Sequence, residues 1–147
     1  MLPDWIELCE LFDAHGVEYL LVGGQAVIAH GYPRLTKDLD LWVNPTAENG
    51  ARVLRALEAF GTPLANFAPE RFEDPATMLS IGSDPFRVDI LTGLPGVEFD
   101  SAWSRRESVE LESAKLPLIC KADLIANKKA VGRLQDLADA EALEGDD

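Results

Sequence analysis

The chain has 147 residues, which is enough for one hydrophobic core and too few for two domains of ordinary size. Hydrophobic residues make up 47% of the sequence and charged residues 27%, as in an ordinary globular protein. The net charge of −13 argues against duplex nucleic acid as a partner, because its phosphates would be repelled. No apolar stretch is long enough for a membrane span and no secretory signal opens the chain, so we expect a cytoplasmic location, no membrane partner and reduced Cys9 and Cys120.

Hydrophobic spacing predicts alternating helices and strands in the first half of the chain. Apolar residues three and four apart indicate helices, and short runs of β-formers or alternating residues indicate strands. Asn44-Pro45 is a favourable helix start, with an asparagine cap and proline at the first helical position. The predicted elements are a helix over 4–14, a strand over 17–22, a helix over 25–30, a strand over 38–43 and a helix from Asn44 to Gly61.

In the second half, a proline-rich segment over 62–76 is predicted to be a surface loop. Gly82-Ser83-Asp84-Pro85 is typical of a hairpin turn between two strands. The acidic tail from Asp136 to Asp147 is interpreted as a solvated helix face with a frayed end. The remaining predicted elements are strands over 78–81, 86–91 and 109–112, and helices over 99–105, 121–131 and 133–143, the last two hinged at Gly132.

The order of these elements predicts one domain of the α/β (α+β) class, with a mixed sheet, flanking helices and C-terminal helices. We expect the domain to span 1–147, with its core over about 17–112 and its C-terminal helices over about 119–144.

Two aspartates stand two positions apart in the predicted strand over 38–43. Side chains alternate along a strand, so Asp38 and Asp40 project from one face while Leu39 and Leu41 enter the core. Two neighbouring carboxylates repel each other and favour a bound cation. The alternative is a pair of exposed acids on an edge strand.

A third acid, Asp89, lies between apolar residues in the predicted strand over 86–91. If that strand lies beside the one carrying Asp38 and Asp40, the three carboxylates converge. Oxygen ligands in that number suit Mg²⁺ or Mn²⁺. The alternative is that all three acids only keep an α/β scaffold in solution.

Gly23-Gly24 connects a predicted strand to a predicted helix. Glycine allows a positive φ and lets the backbone approach a ligand without a Cβ in the way. The free N–H groups of the following helix favour an anion, and a phosphate is the obvious candidate. The alternative is a tight connection with no ligand.

Three separated segments resemble the nucleotidyltransferase fold of the polymerase-β type, in its minimal bacterial branch. The segment over 30–40 and the C-terminal segment over 122–139 are similar to abortive-infection, type IV toxin-like nucleotidyltransferases. The resemblance covers about 17–143. The segments are Val22-Gly23-Gly24, Arg34-x-Thr36-x-Asp38-x-Asp40 and Val88-Asp89-Ile90-Leu91.

The resemblance implies a nucleotidyltransferase-like mixed sheet in which three acids bind Mg²⁺, the glycine turn holds the phosphates of a nucleoside triphosphate (NTP), and a nucleoside monophosphate moves to a hydroxyl. The implied catalytic and metal residues are Asp38, Asp40 and Asp89. The implied phosphate-binding residues are Gly23, Gly24, Arg34, Thr36 and Lys129. Many active relatives have Gly-Ser where this chain has Gly23-Gly24.

Two of these basic residues have structural alternatives. Arg34 could pair with Asp38 or Asp40 in the empty site and contact phosphate in the loaded one, or it could be purely structural. If the two C-terminal helices were continuous, Lys129, Arg133 and Asp136 would share a face, with Lys129 or Arg133 on the triphosphate. The alternative is an exposed Arg133–Asp136 ion pair.

The predicted function is a Mg²⁺-dependent nucleotidyltransferase that uses an NTP and an unidentified acceptor hydroxyl. The alternative is a catalytically idle module of the same fold that acts through a protein partner, as in a toxin–antitoxin pair.

Overall fold

A computed structural model describes residues 1–145, in which one mixed β-sheet is flanked by helices. The helices are α1 (Pro3–Ala14), α2 (Gly23–Ala29), α3 (Ala47–Phe60), α4 (Phe99–Ser104), α5 (Lys121–Val131) and α6 (Leu134–Glu144). The strands are β1 (Tyr19–Val22), β2 (Leu39–Val43), β3 (Met78–Ile81), β4 (Val88–Leu91), β5 (Glu107–Leu111) and β6 (Ala114–Leu118). The predicted fold class is confirmed.

The strand order in the sheet is β3-β4-β2-β1-β6-β5. β2 runs antiparallel to β1 and parallel to β4, so the strands carrying Asp40 and Asp89 are neighbours. β3 pairs with β4 as the predicted hairpin. The sheet therefore brings together segments that are about fifty positions apart in the sequence.

The core lies on the two faces of the central strands. Every residue of β1 is buried, and α1 packs Leu8, Cys9 and Phe12 out of solvent. The rings of Phe12 and Tyr19 meet edge to face at 5.3 Å. Cys9 and Cys120 are free thiols, as expected. No helix within residues 1–145 is long and apolar enough to cross a membrane.

Helix α3 begins later than predicted. Thr46, not Asn44, is its cap, and the Thr46 hydroxyl accepts a hydrogen bond of 3.1 Å from the Asn49 N–H. The Asn44 side chain instead donates to a Glu18 carboxylate oxygen at 2.7 Å. The prediction failed because Asn44 has a tertiary partner that spacing along the chain does not reveal.

Two elements were not predicted. β6 contains Pro117, which has no N–H for a strand ladder and therefore argues against a strand in the sequence. A 3-10 helix over Pro69–Glu73 lies inside the predicted surface loop and buries Phe72 completely. The C-terminal helices are separated at Gly132, whose φ of +74° ends α5 in the left-handed region.

Candidate active site

Asp40 and Asp89 lie directly opposite each other on neighbouring parallel strands. The alternation of side chains places Leu39 and Leu41 in the core and turns Asp40 to the other face, and Val88 and Ile90 do the same for Asp89. The predicted adjacency of the two acid-bearing strands is therefore confirmed. Asp38 lies just before β2.

The carboxyl group of Asp40 is electrostatically crowded. Burial, followed by the charges of Asp89 and Asp38, raises its pKa from 3.8 to about 6, while Lys128 and Arg87 act in the opposite direction. Burial and the neighbouring negative charges therefore disfavour the ionised form of Asp40 near neutral pH. A cation at this position would relieve both.

Arg87 provides a positive charge within the group. Its Nε lies 3.2 Å from an Asp89 oxygen and 3.9 Å from an Asp38 oxygen, and both carboxylates raise its pKa. Ser80 on β3 donates a 2.7 Å hydrogen bond to the same Asp89 oxygen. Within residues 1–145 no three His, Cys, Asp or Glu side chains are close enough to hold a metal ion together. Arg87 lies between Asp38 and Asp89, and the predicted metal site of three carboxylates stays a prediction.

Gly23 and Gly24 pack against the predicted site. They are the first residues of α2 and not a turn before it. Gly23 has a φ of +68°, and a Cβ there would collide with the carboxylate of Asp40. A Cβ on Gly24 would lie 2.5 Å from the hydroxyl oxygen of Thr36. Glycine is required at both positions because the acid strand and the Thr36 segment approach so closely.

The position of Thr36 bears on the absent serine. The Thr36 hydroxyl lies next to Gly24, beside the position that a side chain of residue 24 would occupy. The hydroxyl therefore remains beside the glycines, although it comes from another segment.

Lys128 is a second basic residue close to Asp40. It lines a cavity of about 190 Å³ together with Gly23, Asp40 and Arg133. Its Nζ lies 3.3 Å from an Asp136 oxygen and 3.1 Å from an Asp139 oxygen, and the side chain is 6% exposed. The sequence signal that could have identified it is its position four residues after the buried Leu124, on the inner face of α5.

Solved structures of low sequence identity share this architecture. The lincosamide antibiotic adenylyltransferase LnuA, in its lincomycin-bound form, is 17% identical, with a TM-score of 0.64 over 98% of this chain and 96% of that one. This is the nucleotidyltransferase fold.

Two further structures with the nucleotidyltransferase fold are similar over 95% of this chain. A candidate nucleotidyltransferase from Thermotoga maritima is 16% identical, with a TM-score of 0.55 over 87% of its length. An antigenic nucleotidyltransferase-like protein from Paracoccidioides brasiliensis is 14% identical, with a TM-score of 0.53 over 73% of its length. No family model matches the sequence, and neither does any curated protein. The toxin-like branch of the nucleotidyltransferase fold stays a prediction.

Arg34 pairs with Asp139 and not with Asp38 or Asp40, which fits the structural alternative, and its role in phosphate binding stays a prediction. Its guanidinium donates to both oxygens of Asp139, at 3.0 and 3.2 Å, and to the carbonyl of Leu35 at 2.6 Å. Arg34 thereby ties the segment that carries Thr36 and Asp38 to helix α6. The stronger partner is Asp139 because it is almost fully buried and accepts two parallel hydrogen bonds.

Lys129 points away from the acids. Its Nζ lies 2.6 Å from Glu144, and half of the side chain is exposed. The helices are not continuous through Gly132, so the condition for a shared face with Arg133 is not met. Of the two neighbouring lysines, Lys128 and not Lys129 borders Asp40.

The C-terminal aspartates are not uniformly solvated. Asp136 and Asp139 are 2% and 3% exposed, which corrects the prediction for these two residues, while Asp146 and Asp147 lie outside the described residues. The predicted Arg133–Asp136 pair is present at 2.6 Å, with one buried partner. Burial alone would raise the pKa of Asp136, but Arg133 and Lys128 lower it below its ordinary value.

Proposed function

We propose that this protein is a Mg²⁺-dependent nucleotidyltransferase that moves a nucleoside monophosphate from an NTP to an acceptor hydroxyl. The observation that carries the proposal is the pairing of Asp40 with Asp89 beside Gly23. A pair of crowded carboxylates next to a close backbone approach suits a bound cation and a bound phosphate at once.

The donor atoms fit a hard divalent cation. Asp40 and Asp89 offer carboxylate oxygens on one face, and the raised pKa of Asp40 reflects the crowding that a cation would relieve. Asp38 would join them once it is free of Arg87. Bound Mg²⁺ or Mn²⁺ would supply charge neutralisation for the leaving pyrophosphate and polarisation of the attacking oxygen.

The chain's own residues have separate tasks in this proposal. Asp89 accepts the proton of the acceptor hydroxyl as its oxygen attacks the α-phosphorus. Gly23 and Gly24 let the triphosphate approach the backbone, and Thr36 donates a hydrogen bond to it. Lys128 and Arg133, which border Asp40, stabilise the negative charge of the departing pyrophosphate.

Nucleotide binding is the direct test. Titration with a non-hydrolysable ATP analogue and Mg²⁺ in a calorimeter should give saturable binding, and ATP is the first NTP to try because LnuA is an adenylyltransferase. Asp40→Asn should weaken Mg²⁺-dependent binding, while Lys129→Met should leave it unchanged. Absence of binding with each of the four NTP analogues would end the proposal.

A second candidate function is a catalytically idle module of this fold that binds a protein partner. It is favoured by two large apolar side chains left in solvent, Leu35 at 96% and Leu134 at 88% exposure. A partner that co-purifies with both the wild-type protein and Asp40→Asn, and is lost in Leu134→Glu, would support it. Turnover that depends on Asp40 would exclude the idle module.

A further inference from the structure

A cavity of about 680 Å³ adjoins the acid pair on the same face of the sheet. Trp42 and Leu91 line it, and they lie two residues after Asp40 and Asp89 respectively. Because side chains two apart in a strand share a face, the cavity continues the surface that bears the acids. This volume is typical of small-molecule sites.

The register of the sheet orders the site along the strands. Val22, which precedes Gly23, pairs with Asp40. Two residues further along β2, Trp42 pairs with Leu91. Two residues of strand span about 7 Å. Along β2, the glycines therefore lie on the Leu39 side of the acid pair and the large cavity on the Trp42 side. The small cavity beside Gly23 adjoins the large one, because the two share Leu91 and Leu94 in their linings.

In nucleotidyl transfer the attacking oxygen and the leaving pyrophosphate occupy roughly opposite sides of the α-phosphorus. We propose that this cavity is the acceptor site and that it takes a small neutral or cationic molecule carrying a hydroxyl group. The inference rests on the proposed function. The acceptor oxygen bonds to the α-phosphorus, the bond from phosphorus to the pyrophosphate oxygen breaks, and the hydroxyl proton passes to Asp89.

The charges at the two ends of the site set the class of acceptor. Lys128 and Arg133 line the small cavity that contains Gly23 and adjoins the large one at Leu91, whereas the described residues that line the large cavity include no Lys or Arg. Its one charged lining residue is Glu98. A polyanion such as RNA would find no counter-charge there, while an ammonium group would gain one.

The walls favour an acceptor with an apolar or aromatic body. Trp42 and Phe99 meet edge to face at 5.1 Å, and Leu94 joins them. The indole N–H of Trp42 is buried and has no hydrogen-bond partner within residues 1–145. Buried donors are normally satisfied, so an oxygen of the acceptor is a suitable partner for this group.

Three probes that differ only in charge test the assignment: tyramine, tyrosol and 4-hydroxyphenylacetate. They present the same phenol with an ammonium, a neutral and a carboxylate end. Their binding is followed by NMR through the indole N–H of Trp42, assigned with Trp42→Phe. Trp5, whose N–H donates to the carbonyl of Phe86, is the internal reference. We expect tyramine to bind best and 4-hydroxyphenylacetate least.

Glu98→Gln should lower the affinity for tyramine about two- to fivefold, as expected for the loss of an exposed ion pair, and should leave the affinity for tyrosol unchanged. Glu110→Gln, on β5 at the opposite edge of the sheet, is the matched control and should change neither. If no probe shifts the Trp42 signal, or if the anion binds as tightly as tyramine, the acceptor assignment is overturned.

A competition experiment separates this inference from the proposed function. With Mg²⁺ and α,β-methylene ATP present, tyramine should still bind, because acceptor and nucleotide occupy different sides of the acid pair. Displacement of tyramine by the analogue would assign the cavity to the nucleoside and overturn the acceptor site alone. Tyramine binding without any binding of the analogue would instead overturn the transferase and leave a ligand site.

Discussion

Asp40 and Thr36 are the two single residues on which the proposed function depends most directly. Asp40 is held beside two other carboxylates in a partly buried position, and Thr36 places a hydroxyl against Gly24. The crowding of Asp40 is unfavourable without a ligand. Under the proposed function a cation would relieve it, and the Thr36 hydroxyl would donate a hydrogen bond to a phosphate.

Asp40→Asn should stabilise the ligand-free protein at neutral pH. The folded-state pKa of Asp40, about 6, exceeds the ordinary 3.8, so the native state binds the proton more tightly than the unfolded state. Wild-type stability should therefore fall as pH rises through that window and level off above it. We expect Asp40→Asn to gain on the order of 1–3 kcal/mol in the free energy of unfolding at neutral pH.

Urea unfolding from pH 4 to pH 8 measures this effect. The difference between Asp40→Asn and wild type should vanish at the acid end of the range. Asp100→Asn, an exposed acid on α4, is the control and should follow wild type throughout. A variant that is less stable than wild type at neutral pH would contradict the expected sign.

Thr36→Val should weaken binding of the ATP analogue because it removes the hydroxyl beside Gly24 while keeping the side-chain volume. A lost hydrogen bond to a charged group corresponds to about a tenfold loss of affinity or more. Thr36→Ser should retain most of the affinity. Calorimetry decides, and equal affinities for Val and wild type would show that Thr36 only packs against the glycine.

At the scale of elements, helices α5 and α6 are held together by buried charge. Lys128 of α5 lies between Asp136 and Asp139 of α6, and Arg34 reaches Asp139 from the segment before β2. Buried ions are costly unless each is paired and hydrogen-bonded. The network is therefore sensitive to the loss of any one member.

The neighbouring lysines give a matched comparison. Lys128→Met leaves two buried carboxylates without their shared partner and should cost about 3–5 kcal/mol of unfolding free energy. Lys129→Met removes a half-exposed pair with Glu144 and should cost less than about 1 kcal/mol. Thermal or urea unfolding checks both values. Similar losses for the two variants would contradict the buried network.

The elements differ in how far the sequence could predict them. β2 and β4 follow from alternation, because their acids stand between residues that must be buried. The start of α3 could not be predicted in this way, because the Asn44 side chain donates a hydrogen bond to Glu18 and Thr46 caps the helix instead. β6 could not be predicted either, because proline is rare in strands and the strand is apparent only from its pairing with β1 and β5.

Within the candidate site, the positions of Asp40, Asp89 and Gly23 were predictable from the sequence, and the contacts of the basic residues were not. Asp40, Asp89 and Gly23 act through local periodicity and backbone freedom, which the sequence displays. Lys128 and Arg34 act through partners about eight and a hundred positions away, at Asp136 and Asp139. The spacing of residues along the sequence does not show which of two adjacent lysines contacts a buried carboxylate.

At the scale of the whole molecule, the net charge of −13 opposes compaction. Raising NaCl from about 10 to about 200 mM shortens the screening length and should raise the unfolding temperature. The gain in unfolding temperature should disappear near pH 4.4, the isoelectric point expected from the sequence. Scanning calorimetry at both pH values checks this, and a fall in unfolding temperature with salt at neutral pH would contradict it.

The bond between Arg34 and Asp139 has a consequence for how the protein is made. The ribosome releases the segment before β2 early, and the acid pair can form once β4 has emerged. Arg34 and Lys128 receive their buried counter-ions only when α6 leaves the exit tunnel. Asp40 and Asp89 therefore emerge before Arg34 and Lys128 receive their buried partners, and the candidate site takes its described form only after α6 has emerged.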